Sequence, residues 1–253
     1  MIIIGIHLWS VMPKYFVGND FELKDETIYH IKRVLRVRVG DEIILCDGNK
    51  NDYKCLIKSI EPFRYVIKSK YECKTEPLCQ VMLFQSMPKA DKFEWIVQKS
   101  VELGVYAVVP MYTEHSVKKN VKIDRYQKIA ESAAGQSMRG IIPVVYSPIY
   151  WKDILKDKNW NKYFSKPEEN KTINIAAHEK IKDNKLSSVL HKNDIDIAHI
   201  NIGLWIGPEG GFSEKEVNDM INEKFNLVSL GPRILRAETA AIAAFAQIIQ
   251  VIE

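Results

Sequence analysis

The most constraining feature of this sequence is a short apolar strand that runs directly into a glycine-rich loop and then into a helix start. The strand is Ile202–Ile206, and three glycines fall within the following residues 207–211. Ser213 and Glu216 have the spacing of a capping box, which predicts a helix beginning there. Such an arrangement places free backbone N–H groups at the carboxyl end of a sheet, where α/β proteins bind ligands. The structural alternative is a tight turn that needs a glycine with positive φ.

The sequence of this loop argues against two common nucleotide-binding sites. A P-loop requires the lysine of G-x-x-x-x-G-K-[ST], and no lysine follows the glycines at that position. The glycines at 207, 210 and 211 also lack the G-x-G-x-x-G spacing of a dinucleotide site.

A second loop of the same kind follows. The predicted strand Val228–Leu230 leads into the turn signal Gly231-Pro232 and an alanine-rich helix from Ala237 to the C-terminus. That helix is apolar on most of its circumference, which predicts burial and favours a homodimer. Charged residues packed at its start need a partner or a use, so a structural pair of Arg236 with Glu238 or Glu209 remains an alternative.

The rest of the chain divides into two regions. Residues 1–75 read as short strands around an Asp47-Gly48 turn, typical of a small β-barrel, with a short helix over Ile28–Leu35. Residues 76–253 alternate strand, loop and helix, which indicates an α/β domain with a parallel sheet. The polar segment Lys156–Lys171 reads as a surface loop or insertion, and Lys192–Asp196 as another.

Composition permits a nucleic-acid partner without demanding one. The formal net charge is +4, and residues 1–75 hold 13 lysines and arginines against 10 aspartates and glutamates. The four cysteines show neither zinc-ligand spacing nor a disulfide framework, so reduced, packed thiols and no metal are expected. No signal peptide and no long apolar stretch is evident, which predicts a cytoplasmic protein without a membrane partner.

The two loops together resemble the signature loops of the ribosomal RNA small-subunit methyltransferase E family, of the SPOUT class. The segments are Gly207-Pro-Glu-Gly-Gly-Phe-Ser-Glu-Lys-Glu216 and Leu230-Gly-Pro-Arg-Ile-Leu-Arg-Ala-Glu-Thr239. Further matching segments are Lys92-Phe-Glu-Trp-Ile-Val-Gln-Lys99, Thr113-Glu-His-Ser116, Ala133-Ala-Gly-Gln-Ser-Met-Arg139 and His30-Ile-Lys-Arg-Val-Leu-Arg36. The resemblance covers most of the chain except residues 156–171 and about 192–199.

This resemblance implies an N-terminal PUA-like RNA-binding β-barrel (1–75), joined to a C-terminal α/β domain with a trefoil knot (76–253), in a homodimer. The implied activity is methylation of N3 of a uridine in small-subunit (16S) ribosomal RNA, alone or in the assembling subunit, with S-adenosylmethionine (SAM) as cofactor. The implied cofactor-binding residues are Ile206, Gly207, Glu209, Gly211, Leu230, Gly231, Ile234, Leu235 and Arg236.

Uridine N3 carries a proton at neutral pH, so methylation needs a base or stabilisation of the developing anion. Arginines suit stabilisation because they stay protonated and donate to uracil oxygens. The candidates are Arg139 and Arg236, with Glu209 as base or orienting group. The predicted RNA-binding residues are Lys14, Lys32, Arg33, Arg36, Arg38, Gln136 and Arg139. Lys14 and His115 stand where the family commonly has arginine.

Two other functions remain as alternatives. One is a non-catalytic RNA-binding relative that has lost cofactor binding, which the intact loops disfavour. The other is a knotted methyltransferase acting on another RNA such as tRNA, which the N-terminal matches disfavour.

Overall fold

The computed structural model describes residues 12–89, 92–118, 121–165, 167–191 and 196–253. The described residues form two compact units. The first contains residues 12–76 and 134–142, and the second contains the rest. The first boundary between the two units, after residue 76, lies next to the expected domain boundary at residue 75. Residues 134–142, expected in the second domain, pack with the first unit, where Gly140 lies against Cys73 and Lys50.

The first unit is built on a four-stranded sheet in the order β1-β2-β3-β4. Its strands are β1 (Lys14–Phe16), β2 (Glu42–Cys46), β3 (Asn51–Ile60) and β4 (Phe63–Glu72). β1 runs parallel to β2, and the other pairs are antiparallel. The expected strands are thus confirmed. The expected closed barrel is not: among the described residues β1 pairs with β2 alone and β4 is an edge strand.

The short helix expected over Ile28–Leu35 is present but shifted and irregular. Helix α1 spans Asp25–Tyr29, and one π-helical turn continues it over His30–Val34. Ile31 is fully buried and joins Ile43, Leu45, Cys55 and Ile57 in the core of this unit. Val34 and Leu35 are exposed, so the apolar face of this helix is narrower than expected.

The second unit contains the predicted parallel sheet, with helices around it. Its strand order is β11-β9-β10-β5-β6-β7, and β8 pairs with β6. All its strand pairs are parallel. The strands are β5 (Gln80–Ser86), β6 (Ala107–Tyr112), β7 (Val144–Val145), β8 (Ile149–Tyr150), β9 (Lys171–Ala177), β10 (Ile200–Ile206) and β11 (Asn226–Val228).

The helices of this unit follow from local sequence signals. They are α2 (Lys92–Glu102), α3 (Ile123–Gln136), which continues into the first unit, α4 (Trp151–Leu155), α5 (Leu186–His191), α6 (Glu214–Asn222) and α7 (Ala237–Ile252). Shortly after α2, the chain turns at Gly104, which has φ +99°, a conformation that glycine adopts without strain. The predicted capping box at Ser213 and Glu216 is confirmed. Helix α7 packs on α2, α5 and β10.

The segment 156–171 differs from the expected surface loop. Lys156–Tyr163 forms a 3-10 helix, and Trp160, Tyr163 and Phe164 are buried in the core of the second unit. The many lysines and asparagines of this segment indicated a surface loop, although its three aromatic residues pack into the core. The strand expected at 228–230 lies two residues earlier, at Asn226–Val228. Of the loop expected at 192–196, residues 192–195 lie outside the described residues.

The centre of the parallel sheet is held by a buried indole. The Trp205 and Phe84 rings stack with centroids 4.0 Å apart. Trp205 Nε1 donates to Asn174 Oδ1 at 2.9 Å, and this hydrogen bond lies over Gly203, where a Cβ atom would be only 2.4 Å from the same oxygen. Strand β10 is thereby anchored just before the residues that enter the glycine loop.

The four cysteines are free and buried. Burial raises the pKa of Cys46 and Cys79 to about 12. Across the part of the chain that the structure describes, no helix has the length and apolar character needed to cross a membrane.

Candidate cofactor and catalytic site

Three loops at the carboxyl end of the parallel sheet enclose a cavity of about 460 Å³, within the usual range for small-molecule sites. The loops follow β9, β10 and β11, and the start of α7 closes the cavity. The structure brings all nine sequence-predicted cofactor residues to its wall: Ile206, Gly207, Glu209, Gly211, Leu230, Gly231, Ile234, Leu235 and Arg236.

The loop after β10 is a tight turn held against its own helix. Gly211 has φ +69°, and its N–H donates to the Pro208 carbonyl at 2.9 Å. Glu216 then accepts from the backbone N–H groups of Ser213 at 2.9 Å and Glu114 at 2.8 Å. A positive-φ turn and a ligand-binding loop were alternatives in the sequence; the structure shows the turn, and the same loop lines the cavity.

The loop after β11 exposes apolar side chains and an open backbone. Gly231 has φ +118°, and a Cβ atom there would meet nothing within 4 Å. Ser229 Oγ accepts from the Gly231 N–H at 3.2 Å. Ile234 is 88% exposed, which is unusual for a large apolar residue that lines a cavity. The wall therefore offers apolar surface and backbone polar groups together.

Charges around the cavity are paired differently from the expectation. Arg236 is exposed and forms no ion pair with Glu209 or Glu238, so the premise that this arginine is buried is wrong. Lys92 Nζ instead lies 2.9 Å from Glu238 and 3.9 Å from Glu209. Burial raises the pKa of Glu238, but the hydrogen bond from Lys92 and the nearby positive charges outweigh burial and leave that pKa below its usual value.

Glu209 is held in place by a backbone contact. Both of its carboxylate oxygens accept from the Lys89 N–H, at 3.0 and 3.2 Å. His115 supports the same loop, because its Nδ1 lies 3.1 Å from the carbonyl oxygens of both Gly210 and Gly211. Two carbonyl acceptors require a protonated Nδ1, so the imidazole donates there.

Two residues expected to contact RNA are buried instead. The Lys14 side chain has no exposed surface, and its Nζ lies 2.7 Å from Asp52 Oδ1. Arg139 is only 2% exposed and pairs with Glu76, with Nε 3.3 Å from Oε1. Sequence reasoning assigned both cations to RNA because charge is visible in a sequence and burial is not.

The other expected RNA-binding residues are accessible to different degrees. Arg33, Arg36, Arg38 and Gln136 are exposed, whereas Lys32 is partly buried and paired with Glu61. The edge strand β4 adds exposed cations that the sequence analysis missed, at Arg64, Lys68 and Lys70. The sequence indicated a strand around Tyr65–Ile67 but not that this strand lies at the edge of the sheet, so the exposure of these cations was missed. Glu179, a further cavity-lining residue, was also missed; it follows β9 as Glu209 follows β10.

Comparisons with known proteins agree with this architecture. The family model described as an RNA methyltransferase domain matches residues 74–249, and that of an RNA methyltransferase PUA domain matches residues 23–68. The ribosomal RNA small subunit methyltransferase E of Bacillus subtilis is 33% identical, with 94% of this chain and 96% of the relative covered. The Mesomycoplasma hyopneumoniae protein of the same name is 31% identical, with 91% and 96% covered.

A solved structure shares the fold over nearly the whole chain. It is the ribosomal RNA small subunit methyltransferase E of Neisseria gonorrhoeae bound to S-adenosyl methionine, 29% identical, with a TM-score of 0.77 and 95% of this chain and 98% of that chain covered. With the glycine loops and the cavity between them, these matches lead to one conclusion: the chain belongs to the ribosomal RNA small subunit methyltransferase E family.

Proposed function

We propose that the chain methylates small-subunit ribosomal RNA with SAM as methyl donor, at N3 of a uridine. The observation that carries this proposal is the cavity between the glycine loops, where exposed Ile234 lies beside an open Gly231 backbone. An adenine ring needs an apolar wall and backbone polar partners, and this wall supplies both. The SAM-bound Neisseria relative supports the same choice of cofactor.

Bound SAM supplies a methyl group on a positively charged sulfur. The protein must hold uracil N3 in line with that methyl group and compensate for loss of the N3 proton. Arg236 is the better placed of the two arginine candidates, because it is exposed at the cavity wall and can donate to a uracil oxygen. Glu209 acts as an orienting group rather than a base, since Lys89 and Lys92 already engage its carboxylate.

Arg139 supports the first unit through its pair with Glu76. RNA contacts come from the exposed cations of that unit, Arg33, Arg36 and Arg38, together with Arg64, Lys68 and Lys70 on β4. Such contacts to phosphates bind without regard to sequence and depend on salt. Lys32 contributes less, because Glu61 already neutralises its charge.

The proposal includes a trefoil knot in the second unit and a homodimer. The knot is proposed from membership of the family, to which the RNA methyltransferase domain over residues 74–249 assigns the chain. The homodimer is supported by exposed Ala246 and half-buried Ile242 and Ile249 on the outer side of α7. A ribosomal substrate would place the enzyme in the cytoplasm.

The direct test is transfer of radiolabelled methyl groups from SAM to purified small-subunit RNA or assembling subunits and, in a separate reaction, to total tRNA, with the modified base identified by mass spectrometry. N3-methyluridine in the small-subunit RNA is the expected product. Label in tRNA alone would instead favour the tRNA methyltransferase, and RNA binding without any SAM binding would favour the non-catalytic relative.

The cavity is tested by Gly231→Trp, which should abolish SAM binding in calorimetry. Gly40→Trp is the matched control, because Gly40 also has positive φ, +95°, with open space at its Cβ, and it lies in the first unit. Equal SAM affinity in both variants would show that the cofactor binds elsewhere.

A further inference from the structure

The cavity carries opposite charges on its two sides. Glu179 and Glu209 belong to the loops after β9 and β10, whereas Arg233 and Arg236 belong to the loop after β11. SAM has matching charges: a carboxylate on its amino-acid tail, and two cationic groups, the ammonium and the sulfonium. Charge complementarity would direct the cationic groups to the side with the glutamates.

The two glutamates are not equivalent. Glu209 accepts twice from the Lys89 N–H and lies 3.9 Å from Lys92 Nζ. Glu179 is exposed, and within the described ranges no residue donates a hydrogen bond to its carboxylate or forms an ion pair with it. Glu179 is therefore the carboxylate of this cavity whose charge the protein leaves unbalanced.

The backbone on both sides of Glu179 is fixed. The His178 N–H donates to the Val228 carbonyl at 3.0 Å, which ties the residue to the end of β11. The Lys180 N–H donates to His178 Nδ1 at 3.2 Å. Because the main chain around Glu179 is already held, binding of a ligand has to order only the Glu179 side chain.

The Glu179 carboxylate also lies against the glycine loop. A Cβ atom built on Gly211 would be 3.2 Å from Glu179 Oε1 and 3.5 Å from Oε2. Gly211 thus leaves the space that the carboxylate occupies, beside the backbone turn that lines the cavity. Its positive φ and this close approach both favour glycine there.

We propose that Glu179 pairs with a cationic group of the bound cofactor and is a determinant of cofactor affinity. The inference rests on the proposed SAM site. If the cationic group is the sulfonium, the pair is lost when methyl transfer leaves a neutral thioether, so Glu179 would favour SAM over the product S-adenosylhomocysteine. If the group is the ammonium, which both molecules carry, Glu179 would strengthen both equally.

The test is calorimetry of wild type and Glu179→Gln with three ligands: SAM, S-adenosylhomocysteine, and sinefungin, which has an ammonium group in place of the sulfonium. Gln keeps the size of the side chain and removes its charge. Because exposed ion pairs are weak, the expected loss of SAM affinity is about two- to fivefold. Glu214→Gln, on exposed α6 surface outside the cavity, is the matched control and should leave all three affinities unchanged.

Loss of affinity for SAM and sinefungin but not S-adenosylhomocysteine would support pairing with the sulfonium. Equal loss for all three would support pairing with the ammonium. A change of less than about twofold for every ligand, in a variant whose melting temperature matches wild type, would overturn the role of Glu179. Failure of the wild type to bind any of the three would instead refute the proposed SAM site itself.

Discussion

The ion pair of Lys14 and Asp52 gives the sharpest test of what the first unit uses its charges for. The Lys14 side chain has no exposed surface and that of Asp52 only 4%. Lys14 Nζ also contacts the Met138 carbonyl at 3.2 Å and Cys73 Sγ at 3.5 Å. Lys14→Met keeps most of the length of the side chain, removes its charged end and leaves the Asp52 carboxylate buried without its cation.

Removing one partner of a buried ion pair typically costs about 3–5 kcal/mol, because the remaining charge is neither solvated nor compensated. We therefore expect Lys14→Met to lower the free energy of unfolding of the first unit by about this amount. Replacing both partners with apolar residues, as in Lys14→Met with Asp52→Leu, should restore a large part of the loss, since no buried charge remains.

Urea unfolding measures the free energy, and amide hydrogen exchange in β2 and β3 assigns the change to this unit. SAM affinity should be unaffected. The salt dependence of RNA binding should also be unchanged, because a buried cation releases no counterions. The reasoning is refuted if Lys14→Met is as stable as wild type while its RNA binding becomes weaker and less salt-dependent.

Three further predictions concern other contacts. His115→Ala should weaken SAM binding about fivefold in calorimetry, because the Gly210 and Gly211 carbonyls lose a hydrogen-bond donor worth about 1 kcal/mol. His115→Asn keeps a donor and should retain most of the affinity. Equal losses of affinity in the two variants would exclude the donor role. Lys92→Met should lower the melting temperature at neutral pH, and the difference from wild type should shrink as pH falls. The reason is that the lowered folded-state pKa of Glu238 stabilises the protein above the unfolded-state pKa, and this stabilisation is lost as the carboxylate is protonated. A difference in melting temperature that does not depend on pH would contradict this. Because burial raises the pKa of Cys46 and Cys79 to about 12 and that of Cys55 to about 11, these thiols should resist a thiol reagent at pH 8 until urea is added, and rapid labelling of the folded protein would disprove it.

The parts of the fold predicted from sequence are those with local causes. The strand Glu42–Cys46, the capping box at Ser213 and the start of α7 each depend on residues within one or two turns of one another. The glycine loops after strands were expected at the carboxyl edge of a parallel sheet, where the structure places them, whereas the nine residues that line the cavity were implied by the resemblance to the family.

The predictions that were wrong concern residues whose burial or pairing depends on residues distant in the sequence. The sequence shows that Lys14 and Arg139 are charged but not that they are buried. Their burial depends on ion pairs with distant residues, Lys14 with Asp52 and Arg139 with Glu76. Trp160 is buried in a segment whose composition is polar. The pairing of Lys92 with Glu238 likewise joins the starts of α2 and α7, which no local pattern connects.

The hydrogen bond from Trp205 to Asn174 has an evolutionary consequence. Gly203 has no side chain because that bond occupies the volume a methyl group would need, and not because its backbone is unusual. A Cβ atom at 203 would lie 2.4 Å from Asn174 Oδ1 and 2.9 Å from Trp205 Nε1, so alanine becomes acceptable there only when both groups are replaced or displaced. We therefore expect the three positions to vary together among relatives, so that a lineage with a side chain at 203 has also changed the residues at 174 and 205.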